Sequence, residues 1–405
     1  MNYTYCSTQI KYDSCPEEFE KIKAEYIANG YALVFERYDC GNMFADLLSD
    51  RLFHISFTRD TCLRITEDKN TNLPSFCPVK CTPILQPIYF QFETNHEYID
   101  CGMCIIIRLC DGSYFIVDSA HYLSVGDYER IHSFLRKNTT TERITIAGWY
   151  FSHAHSDHIC QFTEFLKQKY SDTDIEGIYY NFVDYEKHPD VQNWEQDEKN
   201  RTAEFLDEVK RSKIPIFTPH TGQIFYIRDM KIDVLCTHED IYPLSMADFN
   251  DTSTCLMAEI SGTKIFIPGD CSRKSSARLE TIWGNSLKCD ILQVAHHGHT
   301  GLTKNLYELT KGKIALFANT KIKHDEEYPR REENRRIIEL ADEFYVSSEG
   351  TVEIPLPYKQ HNVKIHKPET VENFKEIQKL WGYTYTDEFK QNVYDTFISN
   401  GGKLK

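Results

Sequence analysis

The sequence has no long hydrophobic run and no excess of positive charge. Its longest apolar stretches, such as Cys104–Ile107 and Ile314–Ala318, are strand-sized and far shorter than the roughly 20 residues that cross a bilayer. The first residues, Met1-Asn-Tyr-Thr, have neither the basic start nor the apolar core of a signal peptide. The net charge of −15 argues against a surface that wraps long nucleic acid. We therefore expect a cytoplasmic protein with no membrane-spanning segment and no long nucleic acid as its partner.

Three common catalytic motifs are also missing. The chain has no Gly-x-x-x-x-Gly-Lys-Ser/Thr phosphate loop, no Gly-x-Ser-x-Gly nucleophile elbow and no His-Glu-x-x-His helix. These absences argue against a nucleotide-binding phosphate loop, a serine nucleophile on an elbow and a helix-borne zinc protease site.

The fourteen cysteines allow two interpretations. Cys77/Cys81 and Cys101/Cys104 have the spacing of half-sites for structural zinc. However, 41% of the residues are apolar, so the chain can form a full core without a disulfide or metal framework. We expect most thiols to be reduced and packed, with a cysteine–zinc site as the alternative.

The pattern along the chain predicts three segments. Residues 1–85 are typical of a small α+β unit that ends in a proline-rich linker. In residues 86–358 short buried strands alternate with amphipathic helices, which is typical of an α/β domain. Residues 359–405 predict a C-terminal helical extension, and the charge-rich stretch 186–212 predicts a solvated surface helix.

Within the first segment, one helix and three strands can be placed. The helix begins at Pro16 and ends before Asn29-Gly30. Strand-like runs follow at Tyr31–Glu36, His54–Thr58 and Cys62–Thr66.

One segment concentrates residues that bind metals. An apolar strand ends at Phe151 and is followed within a few residues by four potential ligands, His153, His155, Asp157 and His158. Two residues apart in extended backbone, the first two histidines point the same way and can share one cation. The aspartate and the last histidine come where a helix begins, which can direct them to a second cation nearby.

Three further apolar strands lead to similar residues. They are followed by Asp118, by Asp270 and by His296-His297-Gly298. Either aspartate alone could be a turn or capping residue, and His297 alone could orient a ligand. Because α/β sites form beyond the carboxyl ends of strands, four such strands together favour one shared metal site.

At these residues the sequence resembles the metallo-β-lactamase-fold hydrolases, whose signature is His-x-His-x-Asp-His. It is most similar to the metal-binding domain of the ComEC-type competence proteins and their soluble relatives. Further elements match that branch in order: Asp100-Cys-Gly-Met-Cys104, Asp118, Asn250-Asp-Thr-Ser, Gly269-Asp270 and His296-His297-Gly298. The first of these elements accounts for the Cys101/Cys104 pair without zinc.

The resemblance covers residues 88–357 and implies a fold. That fold is a four-layer αββα sandwich, an α/β (α+β four-layer) class, with the site at one edge of the sheets. The small N-terminal α+β unit and the C-terminal helical tail lie outside it.

The resemblance also implies the metal ligands. One divalent ion is held by His153, His155 and a bridging Asp270, and the other by Asp157, His158, Asp270 and His296. Asp118 orients the histidine loop. Asn250 stands where most hydrolases of this fold have a further histidine, so one ion is the alternative to two. His220 and His238 lie in the same interval but not in the same context.

The leading functional hypothesis is hydrolysis by a metal-bound hydroxide. Asp157 orients the hydroxide or accepts its proton, and His296 or His297 stabilises the developing charge or protonates the leaving group, so Asp157 and His297 are the predicted catalytic residues. Zinc is favoured as the metal, and manganese or iron also suit these ligands. Cys160 and Cys271 are interpreted as packing residues, since metal-activated water needs no protein nucleophile.

The predicted substrate is a small phosphodiester, as the ComEC-like features resemble the phosphodiesterase side of the fold. The substrate contacts differ from the family pattern at His299, which replaces the usual serine. Two alternatives stay open: a lactone, thioester or other acyl hydrolase of the same fold, and a non-catalytic, metal-bound sensor or binding protein. The redox enzymes of the fold carry a glutamate where His155 stands, which disfavours them. A small-molecule partner is expected, and a homo-oligomer is compatible with the sequence.

Overall fold

The computed structural model describes residues 2–5, 8–94, 101–124, 126–184, 196–241 and 249–367. Its strands, in chain order, are β1 (Asn2–Tyr5), β2 (Thr8–Lys11), β3 (Ala32–Asp39), β4 (Asn42–Leu48), β5 (Leu52–Thr58), β6 (Cys62–Asp68), β7 (Ile88–Gln91), β8 (Ile105–Arg108), β9 (Tyr114–Val117), β10 (Ile144–Tyr150), β11 (Thr173–Ile175), β12 (Ile178–Tyr179), β13 (Ile216–Phe217), β14 (Ile224–Ile227), β15 (Met230–Cys236), β16 (Cys255–Ile260), β17 (Thr263–Ile267), β18 (Ile291–Gln293), β19 (Ile314–Phe317), β20 (Glu343–Val346), β21 (Thr351–Pro355) and β22 (Lys364–His366).

The helices complete the architecture. They are α1 (Pro16–Ala28), α2 (Asp127–Asn138), α3 (Ser156–Gln168), α4 (Gln196–Ser212), α5 (His238–Ile241), α6 (Arg273–Ile282), α7 (Lys304–Thr310), α8 (Lys321–Glu327) and α9 (Glu332–Leu340). Short 3-10 turns lie at Phe249–Thr252, Gly284–Leu287, Ala295–Gly298 and Ser347–Glu349.

The strands form three sheets. The first has the order β1-β2-β6-β5-β4-β3. The second has the order β13-β12-β10-β9-β8-β7-β21-β22, with β11 also paired to β10, and the third runs β14-β15-β16-β17-β18-β19-β20. Because β9 pairs parallel to β10, and β17 parallel to β18, each pair brings its carboxyl ends to one edge of its sheet.

The second and third sheets pack face to face. Ile105 and Ile107 of β8 share one buried core with Ile265 of β17. The alternate residues, Ile106 and Phe266, point to the opposite faces and belong to a second core that includes residues of α2, α3, α6 and α7. The layers therefore run helix, sheet, sheet, helix. The predicted α/β sandwich of four layers is confirmed.

The first sheet has a core of its own. Phe19 of α1 packs with Leu47, Ile55 and Leu63 on one face of the sheet. The helix predicted from Pro16 is confirmed, and so are the three predicted strands, which correspond to β3, β5 and β6. The structure adds β4, which the sequence analysis did not place, and the hairpin β1–β2.

The other face of the first sheet packs against the sandwich. The Phe44 ring stacks on the Trp283 ring with centroids 5.9 Å apart. Gly222 lies so close that an added Cβ would sit 2.3 Å from the Phe44 ring. Arg37 reaches across the same interface and donates to both carboxylate oxygens of Asp233, at 2.7 and 3.0 Å.

A buried polar network crosses this interface. His54 Nδ1 lies 2.7 Å from one Asp46 oxygen, and the other oxygen accepts a hydrogen bond from Gln223 Nε2 at 2.8 Å. The His54 ring stacks on the His220 ring at 5.0 Å, and His220 Nδ1 lies 3.0 Å from Glu239. The first sheet is thus fastened to the sandwich by charged groups as well as by apolar packing.

The remaining predictions of organisation have mixed outcomes. The charge-rich surface helix is present as α4, while residues 185–195 lie outside the described ranges. Of the predicted C-terminal helical extension, residues 359–405, the part from 368 onward also lies outside the described ranges. Within its first residues Lys364–His366 is a strand, so the prediction of a helix is wrong there. The segment boundaries at 85 and 358 stay predictions. In the described ranges no helix combines the length and apolarity needed to cross a membrane.

The polar network predicts a pH dependence of stability. Burial alone would lower the pKa of His220, but Glu239 and Asp68 outweigh it and raise the pKa well above its usual value. The folded protein then keeps a proton that the unfolded chain releases above about pH 6.5. The free energy of unfolding should therefore fall as pH rises through neutrality, by at most about 1.4 kcal/mol per pH unit from this group.

Urea unfolding at a series of pH values tests this on the wild type and Glu239→Gln. The variant should show a shallower fall between pH 7 and 8, because the charge that holds the proton is gone. Glu25→Gln, at an exposed position on α1, is the control and should keep the wild-type slope. Equal slopes in the wild type and Glu239→Gln would contradict the assignment.

Candidate metal centre

The loops after β9, β10, β17 and β18 meet at one edge of the sandwich. They carry Asp118, the segment 152–158, Asp270 and the pair His296-His297. The residues that the sequence assigned to one site come from strands of both facing sheets. Asp100, in the first matched element, lies outside the described ranges.

The Asp118 carboxylate holds the histidine loop. It is fully buried and accepts hydrogen bonds from the Ser152 backbone N–H (2.8 Å), the Ser152 hydroxyl (2.8 Å) and His158 Nδ1 (2.7 Å). Because His158 donates from Nδ1, its Nε2 has no proton in the neutral ring and faces the site. Desolvation nevertheless raises the pKa of Asp118, against the opposing effect of His158.

The Ser152 hydroxyl fixes a second ring. Having donated to Asp118, this oxygen can only accept from His153 Nδ1, which lies 3.0 Å away. His153 Nε2 is then the unprotonated nitrogen. It lies 3.1 Å from His155 Nδ1 and 3.9 Å from Asp270 Oδ2. The sequence analysis missed Ser152, although its place directly before His153 was a usable signal.

A compact group of four residues forms the centre of the site. Asp157, His158, Asp270 and His297 each offer one ligand atom, and these atoms all lie within 4.8 Å of one another. His297 Nε2 is 3.0 Å from Asp157 Oδ2, 3.1 Å from Asp270 Oδ2 and 3.2 Å from His158 Nε2. His297 Nδ1 donates to the Ala318 carbonyl at 2.8 Å, so in its neutral form this ring too turns its unprotonated nitrogen inward.

His296 lies outside this group. The sequence analysis assigned His296 as a ligand and His297 as a catalytic residue without deciding which of the two binds the metal, and the structure places His297 among the four. His296 Nδ1 lies 2.9 Å from the Thr300 carbonyl, and its Nε2 is 3.5 Å from Asn250 Nδ2. Both histidines have left-handed backbone, with φ of 50° and 54°, which costs about 1–2 kcal/mol each and which sequence spacing does not predict.

The charges of the centre favour a cation between these side chains. Burial would lower the pKa of His158, but Asp157, Asp270 and Asp118 outweigh it and raise the pKa well above its usual value. For His297, burial acts in the same direction, yet Asp270 and Asp157 raise its pKa to about 10. The pKa values of both Asp157 and Asp270 are well below the usual range despite burial, because these histidines face them.

The donor set fits a divalent metal ion. Imidazole nitrogens and carboxylate oxygens suit zinc, iron and manganese. Asp270 Oδ1 is buried and has no hydrogen-bond partner among the residues that the structure describes, as expected of an oxygen reserved for an ion. Asn250 Oδ1 is likewise buried and without such a partner there.

At Gly269 the backbone after β17 comes very close to the histidine loop. Gly269 precedes Asp270 with φ of 60°, and an added Cβ would lie 2.8 Å from Ser152 Cβ. The Asp270 N–H is held by the Ser253 hydroxyl at 3.1 Å. The Gly-Asp element of the third sheet can therefore lie directly on the histidine loop of the second.

Comparison with known proteins gives similarity of fold only. No protein-family model matches the sequence, and no curated protein matches it. Among solved structures it is similar to YhfI of Bacillus subtilis, a metallo-β-lactamase fold protein, with a TM-score of 0.39, 12% identity, and coverage of 64% of this chain and 96% of that one.

Two other solved structures are similar at the same level. A motif mutant of the metallo-β-lactamase of Cronobacter sakazakii has a TM-score of 0.31 and 12% identity, with coverage of 64% of this chain and 94% of that one. The short form of human tRNase Z has a TM-score of 0.33 and 12% identity, with coverage of 57% and 90%. Similarities of this size carry no argument about reaction, substrate or metal.

The placement of the two adjacent histidines predicts unequal effects on metal binding. His297→Ala should weaken binding by more than the roughly 10- to 100-fold that loss of an outer hydrogen-bond partner costs, because it removes an inward-facing nitrogen. His296→Ala should leave the metal content close to that of the wild type. Elemental mass spectrometry of the purified variants measures this, and the reverse order would contradict the placement of His297.

Asp118 should act on metal binding without contacting the metal. Asp118→Asn keeps the shape of the side chain but removes the charge that aligns Ser152 and His158. We expect metal affinity to fall about 10- to 100-fold. Competition with a chromogenic chelator measures the affinity, with Asp50→Asn, at an exposed turn, as the control. An unchanged affinity in Asp118→Asn would show that the loop keeps its geometry without this carboxylate.

Proposed function

We propose that the protein is a metal-dependent hydrolase. The observation that carries the proposal is the group of Asp157, His158, Asp270 and His297, whose ligand atoms lie within 4.8 Å of one another. Both imidazoles in the group are oriented from behind, one by the Asp118 carboxylate and one by the Ala318 carbonyl. Ligands fixed in this way from outside are typical of functional metal sites.

We assign two divalent ions, with zinc favoured. The four grouped residues would hold one ion. His153 and His155 would hold the other together with Asp270, whose Oδ1 has no hydrogen-bond partner among the residues that the structure describes. Bound at these residues, divalent ions would lower the pKa of water and polarise the bond to be hydrolysed.

The chain's own residues supply the remaining functions. Asp157 lies beside Asp270 and stays ionised, because His158 and His297 outweigh burial and hold its pKa well below the usual range. Its carboxylate can therefore orient the attacking water and, as a weak base, receive its proton. His296 is partly exposed and lies outside the compact group, next to Asn250. We assign proton transfer to the leaving group to His296, in place of the catalytic role first expected for His297.

We favour a small phosphodiester as the substrate. The support is the resemblance to the ComEC-type branch, in particular Asn250 in the place of a histidine and the His-His-Gly element. The strong negative charge of the protein agrees with a small substrate more than with long nucleic acid. A cytoplasmic location and a homo-oligomeric state stay predictions.

A hydrolysis assay tests the proposal. Metal-loaded protein should hydrolyse bis-p-nitrophenyl phosphate, and Asp157→Ala should lower the rate about 100-fold or more, because it loses both a ligand and a proton acceptor. Asp50→Ala, which changes an exposed turn far along the chain from the site residues, is the matched control and should retain the rate.

The outcomes separate the alternatives. If p-nitrophenyl acetate or a lactone is hydrolysed far faster than the diester, the phosphodiester assignment is wrong and an acyl hydrolase replaces it. If metal binds but no substrate turns over, the hydrolase proposal itself is wrong and the protein is a metal-bound binding or sensor protein.

A further inference from the structure

A second cluster of metal-ligand side chains lies away from the His/Asp centre. It is formed by Cys81 of the proline-rich linker, Cys110 of the turn between β8 and β9, and Asp229 of the turn between β14 and β15. The three residues come from segments that are distant in sequence. They bring the linker, the second sheet and the third sheet together at one point.

The ligand atoms of this cluster are close. The two sulfur atoms, Cys81 Sγ and Cys110 Sγ, are 2.9 Å apart, and the Asp229 carboxylate completes a group within 4.8 Å. The backbone supports the arrangement: the Cys110 N–H donates to Asp229 Oδ1 at 3.1 Å, and the Cys110 carbonyl accepts from the N–H groups of Ile84 and Leu85. Cys110 is only 3% exposed, while Cys81 and Asp229 are half-buried.

The positively charged side chain next to the cluster is already paired. The guanidinium of Arg228, which precedes Asp229 in the chain, donates to Asp111 at 2.7 Å and to Glu176 at 2.7 Å.

We propose that Cys81, Cys110 and Asp229 bind a zinc ion that fastens the linker to the sandwich. Two thiolates and a carboxylate suit zinc, whereas magnesium and calcium prefer oxygen ligands alone. Binding would release the two thiol protons to solvent, so that two thiolates and one carboxylate face the ion. The site does not depend on the hydrolase proposal.

A disulfide between the two cysteines is the competing arrangement. Asp229 Oδ1 accepts the Cys110 N–H in either arrangement, so peptide mass spectrometry under non-reducing conditions decides between them. The structure also revises the sequence expectation: the cysteine that lies against Cys81 is Cys110, which no local spacing motif links to it, and Cys104 lies buried in the sandwich core.

Cobalt substitution tests the proposal on the full-length protein. The metal-stripped protein is reloaded with Co²⁺, and the near-ultraviolet sulfur-to-cobalt charge-transfer absorption is recorded. We expect this absorption in the wild type and in His297→Ala, because the His/Asp centre has no thiolate. It should be lost in Cys81→Ser and Cys110→Ser, each of which should also bind one zinc ion fewer per chain by elemental mass spectrometry.

Two further variants separate loss of the zinc site from a general effect of changing a cysteine. Asp229→Asn keeps both thiols and keeps a side-chain oxygen that can accept from the Cys110 N–H. Weaker zinc binding with unchanged circular dichroism would therefore support the site even if a cysteine variant folds poorly. Cys15→Ser replaces an exposed thiol at the start of α1 and should keep the charge-transfer absorption.

Three results would overturn the proposal. The first is the absence of the charge-transfer absorption from the reduced wild type. The second is an absorption that persists in Cys81→Ser. The third is non-reducing peptide mass spectrometry that finds Cys81 and Cys110 joined in a disulfide in freshly purified protein.

Discussion

The candidate metal centre depends on one buried charge, the Asp118 carboxylate. A buried carboxylate costs several kcal/mol unless donors surround it, and here three donors do so, two from Ser152 and one from His158. The same hydrogen bonds determine which nitrogen of each ring faces inward. His158 donates from Nδ1 to Asp118, and the Ser152 hydroxyl, which donates to Asp118, must accept from His153 Nδ1. The Asp118 carboxylate thus determines which ring nitrogen of His153 and of His158 faces the centre, and how the histidine loop is oriented.

The sequence was sufficient to locate the centre because its ligands follow apolar strands in a fixed order. Runs such as 114–117 and 265–267 are buried on both faces, and the residues just after them reach the same edge. The sequence was not sufficient to choose between His296 and His297. That choice depends on left-handed backbone at two successive positions and on the distant Ala318 carbonyl, neither of which leaves a local pattern.

The first sheet also has a feature that depends on distant residues and leaves no local sequence pattern. Its helix has a proline start and an Asn-Gly end, so the sequence predicted it, whereas β4 is buried on both faces and lacks the polar alternation that marks a half-exposed strand. The second buried face exists because Phe44 packs on Trp283 and Asp46 meets Gln223, residues more than 170 positions away. Pairings of that range are set by tertiary contact and cannot be read from nearby residues.

The two candidate metal sites lie at opposite ends of the same strand. Asp118 follows β9, and Cys110 lies in the turn before it. With roughly 3.3 Å per residue, the four residues of β9 hold these ends about 13 Å apart. At each end the ligands join the second sheet to the third, through Asp270 and His297 at one end and Asp229 at the other. Ions at both ends would therefore restrain the two sheets from sliding past each other. That restraint would keep Asp270, which the third sheet supplies, in register with the histidines that the second sheet supplies.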